Sequence, residues 1–370
     1  MYKKIFLLLF ASFVLVQCSS SDDDANLLDE KTVAYDRAKM LVHWADMIII
    51  PAHSAFQASL SILDNSTKSF VAAPNQSNLD DLRSKWLVSY KSWQHIEMFD
   101  IGKAEEIYFK SKMNIYPIDK TWLDKNIDNG SYDLENANNY SSQGFPAVDY
   151  MLNGIGADDT AILNRFTNDV KYSNYLTSIV NKMVSNTETV VNDWNNYRTT
   201  FIGSTKNTAS SSVNKLINDF IYYYEKGLRA NKVGIPAGVF SGAPLMGNVE
   251  AFYKKDVSKD LLLEAMNASI KFYSGTSFDG LSSGPSLKSY LAHLNTQKGA
   301  ESLSITILSK LESAKTSINS LSNSFIDQIE SENNKMLVTY DAIQAVVVLL
   351  KVDMLQAFNI NVDYTDADGD

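Results

Sequence analysis

Residues 176–194 read LTSIVNKMVSNTETVVNDW, and the spacing of their apolar side chains decides the fold class. These side chains recur at intervals of three and four, which places them on one face of an α-helix. With Thr187 on the same face, the stripe consists of Leu176, Ile179, Val180, Met183, Val184, Thr187, Val190, Val191 and Trp194. The stretch is therefore predicted to be an amphipathic helix that buries this face in a core.

The same helical periodicity returns in several other segments of the chain. They are 35–49, 79–98, 213–228 and 307–325. Pro51 is predicted to kink or end the first of these helices, and 336–358, apolar on most sides, is predicted to be a central, buried helix. Alternating β-branched segments closed by Asn-Gly or Asp-Gly turns are missing from the sequence. The predicted fold is all-α, with two helical-bundle domains packed around a cleft.

Polar segments indicate how the helices are grouped. Residues 199–211, rich in Thr, Ser and Asn, are predicted to link an N-terminal bundle, 33–200, to a C-terminal bundle, 201–360. Residues 124–143 are predicted to form a long loop inside the first bundle. Residues 361–370 are predicted to be an acidic tail.

The N-terminus carries the pattern of a secretory signal. Lys3 and Lys4 precede an apolar run that ends at Val16, and this run is too short to span a membrane. The chain's single cysteine, Cys18, follows after Gln17 and resembles the lipidated cysteine of a bacterial lipobox. Residues 1–17 are therefore predicted to be a lipoprotein signal peptide. The alternative is an ordinary signal peptide with an incidental cysteine.

The predicted location follows from Cys18 and the residues after it. Residues 18–32 are rich in Ser and Asp and are predicted to be a flexible tether. Their acidic stretch resembles a surface-export signal of Bacteroidetes lipoproteins, although a plain spacer has the same composition. The expected location is the cell envelope, with a lipid anchor through Cys18 in the outer membrane, on its periplasmic or its outer side.

Charge and composition exclude several classes of function. The formal net charge is −10, which argues against nucleic-acid binding. No cysteine other than Cys18 exists to form a disulfide or a thiol nucleophile. The sequence also contains no His-Glu-x-x-His, no phosphate-binding glycine loop and no Gly-x-Ser-x-Gly elbow.

Several segments together resemble the imelysin family. Residues 93–102, WQHIEMFDIG, resemble the pattern Trp-x-x-x-Glu-x-Phe-x-x-Gly, and Trp86 fits an upstream tryptophan. Residues 115–119, IYPID, resemble a Trp-Pro-x-Asp stretch, and 249–253, VEAFY, resemble a segment of the second half. The resemblance runs from about residue 33 to the C-terminus. It implies an envelope protein linked to bacterial iron uptake, in a family first described as a metallopeptidase, peptidase M75.

One segment departs from the family pattern. Residues 144–150, GFPAVDY, fall where the family carries Gly-x-His-x-x-Glu-Tyr, so that Pro146 replaces the histidine and Asp149 the glutamate. Proline offers no ligand atom, whereas Asp149 keeps a carboxylate and is the candidate ligand for iron or another divalent metal. Gly144 and Pro146 are candidates for ligand binding, or they simply open a helix.

Other candidate binding residues come from the remaining segments that match the family. Trp93 is a candidate ligand platform, although tryptophans at helical spacing more often belong to a core. If Glu97 is buried beside Trp93, its carboxylate needs a partner, and Arg229 or Lys232 could be that partner. Glu250 has no predicted partner.

These features favour a non-catalytic envelope protein that binds iron or an iron-bearing ligand. Two alternatives stay open. The first is an M75-type peptidase that uses a different set of ligands. The second is a surface scaffold that binds another envelope protein.

Overall fold

The computed structural model describes residues 34–364, and its first half is built from helices. They are α1 (Arg37–His43), α2 (Ile50–Ala72), α3 (Gln76–Trp93), α4 (Lys103–Glu106), α5 (Phe109–Met113), α6 (Lys120–Asn129), α7 (Gly144–Asn153), α8 (Asp159–Asn168) and α9 (Val170–Gly203). A π-helical segment, Trp44–Ile49, joins α1 to α2, and a 3-10 helix, Ala137–Ser142, precedes α7.

The second half is also helical. Its α-helices are α10 (Ser212–Tyr222), α11 (Ile235–Ala237), α12 (Ser258–Ser274), α13 (Leu287–His293), α14 (Leu303–Asn319), α15 (Phe325–Val348) and α16 (Leu355–Phe358). Further helical segments are π-helical, Tyr223–Gly234 and Leu349–Met354, or 3-10, Met246–Asn248. The two short strands β1 (Gln297–Lys298) and β2 (Glu301–Ser302) pair antiparallel, with Gln297 opposite Ser302. The all-α prediction is confirmed.

The stretch that decides the fold class lies in α9. Asp169 caps the helix, because its carboxylate accepts a hydrogen bond from the backbone N–H of Lys171. Leu176, Ile179 and Met183 are fully buried or nearly so. This stripe faces the core, as its spacing predicts.

The long helices pack in two groups that also contact each other. In the first half α2 packs against both α3 and α9, and in the second half α14 packs against α12 and α15. Between the halves, Lys91 in α3 forms a 2.9 Å ion pair with Asp260 in α12. Among the described residues, those from Tyr35 to Tyr364 belong to one compact unit, and the domain boundary at residues 200 and 201 stays a prediction.

Pro51 does not end the helical stretch and 124–143 is not one long loop, so both of these predictions were wrong; a kink at Pro51 stays a prediction. The chain does not leave the helix at Pro51, which lies in the first turn of α2, directly after the π-helical segment. A proline is tolerated there because its missing N–H belongs to the first turn. The predicted loop 124–143 begins inside α6, which Asp119 caps by accepting from the N–H of Trp122.

The helix at 336–358 is less central than its apolar composition predicts. Met336, Ile343 and Leu350 are fully buried, but Val348 and Val352 are about half exposed, at 48% and 56%. Within residues 34–364, none of the helices has the length and apolarity that crossing a membrane requires.

Candidate functional site

A buried lysine lies between two buried carboxylates. Lys232 Nζ is 2.7 Å from both carboxylate oxygens of Glu250 and 3.6 Å from Glu97 Oε2. Asn114 Nδ2 donates to Glu97 Oε1 and to Glu250 Oε1, each at 3.0 Å. Less than a tenth of each residue is exposed. We call these four residues the Lys232 network.

Each member of the Lys232 network comes from a different segment. Glu97 lies in the turns that follow α3, and Asn114 directly follows α5. Lys232 belongs to the π-helical segment Tyr223–Gly234, and Glu250 lies in the turns before α12. Segments of both halves of the chain therefore meet at one buried charge. Short π-helical segments are frequent at functional sites.

Tyr90 holds the network in one arrangement, and Tyr223 lies beside it. The Tyr90 hydroxyl donates to Asn114 Oδ1 at 2.6 Å, which orients the amide so that its Nδ2 points at both carboxylates. Burial, and next the charge of Glu250, hold the pKa of Tyr90 well above its usual range. Burial also raises the pKa of Tyr223, with the charge of Glu97 as the next cause. Both phenols therefore remain protonated at neutral pH.

A cavity of about 160 Å³ adjoins the network. Glu97 and Asn114 form part of its wall, so the network has one side on the cavity. Lys110 and Lys226 also line it, together with Tyr222 and Tyr223. The wall thus offers ammonium groups, a carboxylate and phenols to a small polar molecule.

The other candidates near Glu97 lie elsewhere. Trp93 is 1% exposed and packs edge-on against Phe109, with ring centroids 5.3 Å apart, so it belongs to the core. Arg229 points away from Glu97: its Nη1 donates to the Tyr340 hydroxyl at 3.0 Å, and its Nη2 lies 3.7 Å from Glu225. Of the two cations proposed as partners of Glu97, Lys232 occupies that position.

Asp149 joins α7 to the turn before α12 through hydrogen bonds. Its Oδ2 accepts from the backbone N–H of Tyr253, and its Oδ1 from that of Lys254, both at 2.9 Å. Asn153 Nδ2 donates to Oδ1 at 3.0 Å. Burial raises the pKa of Asp149 to about 7, although these hydrogen bonds act in the opposite direction.

Gly144 and Pro146 shape the start of the same helix. Gly144 begins α7 with φ +73°, and a Cβ there would lie 2.2 Å from the carbonyl oxygen of Met113. Only glycine fits this close approach. Pro146 lies in the first turn, where proline is well tolerated. Both residues have a structural role at this position.

The surroundings of Asp149 do not fit a metal site. Both carboxylate oxygens accept hydrogen bonds from backbone N–H groups, and Pro146 has no ligand atom to add. In residues 34–364, no three side chains of His, Cys, Asp or Glu come together as metal ligands would. Pro146 and Asp149 border only a small cavity of about 20 Å³, close to the space of one water.

The sequence reasoning missed Asn114 and Tyr90. Asn114 directly precedes the segment 115–119 that resembles a family motif, and Tyr90 precedes the segment 93–102. Their position beside these motifs was a usable signal. Neither side chain is charged, however. An uncharged polar residue indicates a site only when it is known to be buried, because it then needs hydrogen-bond partners.

Comparison with known proteins assigns the family. The family model for imelysin, peptidase M75, matches residues 49–352. Because this match covers most of the chain, the protein belongs to the imelysin family. A region of 80 residues is 28% identical to iron-regulated protein A of Synechococcus elongatus, and it covers 22% of this chain and 22% of that relative.

Solved structures share the fold. An imelysin-like protein from Psychrobacter arcticum superposes with a TM-score of 0.69 at 20% identity, covering 90% of this chain and 100% of the other. A protein provisionally named as an iron-regulated protein A precursor, from Parabacteroides distasonis, gives 0.71 at 16% identity, with 88% and 96% covered. These similarities establish the fold alone.

Removal of the buried ammonium is expected to destabilise the protein strongly. Lys232→Met leaves Glu97 and Glu250 buried without their cation, and breaking a buried ion pair costs about 3–5 kcal/mol. The free energy of unfolding, measured in urea, should fall by that order of magnitude. The double variant Lys232→Met/Glu250→Gln should recover part of the loss, whereas Lys310→Met, at an exposed lysine, should have little effect. The role of the network would be contradicted if Lys232→Met changed the free energy of unfolding only slightly, and if its effect simply added to that of Glu250→Gln.

Asp149 should make stability depend on pH. Its pKa of about 7 in the folded state is above the value of 3.8 expected for the unfolded chain. The folded state therefore binds the proton more tightly, and this contribution to stability is lost as pH rises from about 4 to 7. In Asp149→Asn that contribution disappears, and an amide opposite two N–H donors leaves one of them unpaired, at a cost of about 1–3 kcal/mol.

The measurement is the free energy of unfolding of both proteins from pH 4 to 8. Other groups titrate in this range: burial lowers the pKa of His53 to about 4 and raises that of Asp219 to about 8. The difference between wild type and Asp149→Asn isolates Asp149. Parallel pH profiles of the two proteins would show that Asp149 does not titrate in this way.

Proposed function

We propose that this protein is a non-catalytic lipoprotein of the cell envelope that binds an iron-bearing ligand for uptake. Membership of the imelysin family supports the proposal, and so does the similarity to proteins whose names describe them as iron-regulated. Regulation by iron concerns expression, so the binding role needs support from the site itself.

The cavity beside the Lys232 network is the observation that carries the proposal. Lys110 and Lys226 lie on its wall, and Glu97 is held in place by Asn114 and Lys232. A ferric ion chelated by small carboxylic acids presents carboxylate oxygens, which ammonium groups bind through charge-assisted hydrogen bonds. Pre-formed polar groups around a cavity are what such a ligand needs.

A binding role agrees with the local chemistry better than peptide hydrolysis does. The carboxylate at the family's motif position, Asp149, is committed to backbone N–H groups. Catalytic zinc sites use three protein ligands and keep one position open for water. Neither Pro146 nor Asp149 is placed to contribute to such a centre. No specific observation favours the scaffold role.

The proposed location rests on the sequence. Cys18 and the signal peptide 1–17 lie outside the described residues. We propose that Cys18 carries a lipid that is anchored in the outer membrane. The tether 18–32 then connects this anchor to the helical body outside the membrane.

Titration calorimetry of the mature lipoprotein in detergent tests the binding role. We expect ferric citrate to bind, and citrate without iron to bind more weakly. Lys110→Gln should weaken binding roughly tenfold, because one charge-assisted hydrogen bond contributes about 1.5 kcal/mol or more. Lys310→Gln, at an exposed lysine, is the matched control.

Haem and a hydroxamate siderophore extend the same test to other iron-bearing ligands. If neither these nor ferric citrate bind, and the amount of protein in cells is the same with and without iron limitation, the proposal is wrong. Binding that Lys110→Gln leaves unchanged would move the ligand to a different place on the protein.

Cys18→Ala should abolish lipid attachment. The thiol is the acceptor in a lipobox, so cells fed a labelled fatty acid should label the wild-type protein but not the variant. The variant should also fractionate away from membranes, whereas Ser19→Ala should behave as wild type. A labelled Cys18→Ala protein would contradict the assignment.

A further inference from the structure

Two residues on the wall of the cavity beside the Lys232 network carry a buried polar atom without a hydrogen-bond partner among the described residues. They are Glu97 and Tyr223, which are 8% and 2% exposed. Asn114 donates to Glu97 Oε1, but within residues 34–364 nothing donates to Oε2. Lys232 Nζ lies 3.6 Å from Oε2, which is ion-pair distance but too long for a hydrogen bond.

The Tyr223 hydroxyl is the second of these atoms. Burial raises the pKa of Tyr223 and the charge of Glu97 raises it further, so the two side chains are close neighbours. The contact between them does not have the geometry of a hydrogen bond, and the part of the chain that the structure describes offers the hydroxyl no other partner. Buried polar atoms are nearly always paired, so two unpaired atoms on one cavity wall point to a bound molecule that pairs with both.

The chemistry of Glu97 determines what such a molecule must offer. A carboxylate oxygen only accepts hydrogen bonds, so the ligand has to donate to Oε2. A protonated amine is the strongest donor for it, because both partners are then charged. The phenol of Tyr223 is protonated, so its hydroxyl can donate to a carboxylate of the same ligand.

Lys110 adds a donor to the same wall. Its Nζ lies 3.1 Å from Asp100 Oδ2 and 5.0 Å from the centroid of the Tyr222 ring. An ammonium group has three N–H donors, so a lysine that is paired with one carboxylate can still donate to another. The cavity therefore has an acceptor for a positive group at Glu97 and a donor for a negative group at Lys110.

The size of the cavity limits the ligand. Its volume is about 160 Å³. A cavity of about 150 Å³ in another protein holds one benzene molecule, so a compact ligand here has on the order of six to nine non-hydrogen atoms. A larger ligand can place only one arm of this size in the cavity.

We propose that the cavity binds a small aminocarboxylate, whose protonated amine donates to Glu97 Oε2 and whose carboxylate accepts from Lys110 and Tyr223. The proposal rests on the proposed function in taking this cavity as the binding site, and it names the chemistry that the site selects. In an iron-bearing ligand, the group that enters the cavity is an arm with both charges. Citrate supplies only the carboxylate.

Titration calorimetry of the mature lipoprotein in detergent with aspartate, malate and succinate tests the proposal. These three acids share a four-carbon dicarboxylate skeleton and differ only in an ammonium, a hydroxyl or a hydrogen at one carbon. Aspartate should bind at least tenfold more tightly than succinate, because a hydrogen bond between charged partners is among the strong ones. If aspartate does not bind, or if malate or succinate binds as tightly, the proposal is wrong.

The variant Glu97→Gln tests the role of the carboxylate. The ratio of the aspartate affinity to the succinate affinity should fall toward one, because the amide carries no charge. A loss of folded protein weakens both ligands alike, so it leaves this ratio unchanged. Glu188→Gln, at an exposed glutamate, should keep the wild-type ratio. A wild-type ratio in Glu97→Gln would overturn the proposal.

The variant Tyr223→Phe gives an independent result that does not depend on the stability of Glu97→Gln. It should weaken aspartate binding about twofold to tenfold, the range expected for one neutral hydrogen bond. Tyr224→Phe is the matched control, because Tyr224 is fully buried and its hydroxyl has no partner within 34–364, but it does not line the cavity. Equal effects of the two substitutions would count against the site.

The outcomes separate this proposal from the proposed function. If ferric citrate binds and the three acids are not distinguished, only the aminocarboxylate proposal fails. If aspartate binds as expected and none of the iron-bearing ligands does, the iron role fails and the aminocarboxylate site stands.

Discussion

The ammonium group of Lys232 is the constraint on which the arrangement of the middle of the chain depends. A buried charge is tolerated only with well-placed partners, and here the partners are Glu250, Glu97 and the amide of Asn114. Each comes from a different segment, so satisfying one charge fixes the ends of α3 and α5, the π-helical segment and the turn before α12. The two halves of the chain are joined at this point by electrostatics as well as by apolar packing.

Asp149 is also a buried charged group that needs partners, and its partners are backbone N–H groups where the partner of Glu250 is an ammonium. Its carboxylate holds the backbone at residues 253 and 254, while Glu250, a few residues earlier, is held by Lys232. The turn before α12 is therefore tied on both sides. This explains why a carboxylate is useful at position 149 even where its neighbour Pro146 has no ligand atom to share a metal with it.

Local patterns predicted the helices, whereas the site depends on contacts between distant residues. The stripe in α9 follows from spacing alone, and most of its members are buried as expected, whereas Val184 and Val191 at its edge are half-buried. Arg229 and Lys232 were both candidate partners of Glu97, and nothing in the sequence separated them. The segment that carries them is π-helical, and its wider turn sends Arg229 toward Tyr340 and Lys232 toward Glu250. Nothing in the spacing of the sequence indicated that change.

The π-helical segment Tyr223–Gly234 also supplies charged side chains both to the Lys232 network and to the wall of the cavity beside it. Lys232 points to the buried carboxylates near its end, Glu225 gathers cations near its start, and Lys226 reaches the cavity between them. Partly buried lysines on the wall of a small cavity favour anions over neutral molecules, because each ammonium gains more from a charged partner than from a neutral one. Ligand selection is therefore expected to reside in this segment rather than in α7, where glycine, proline and aspartate are committed to holding the backbone.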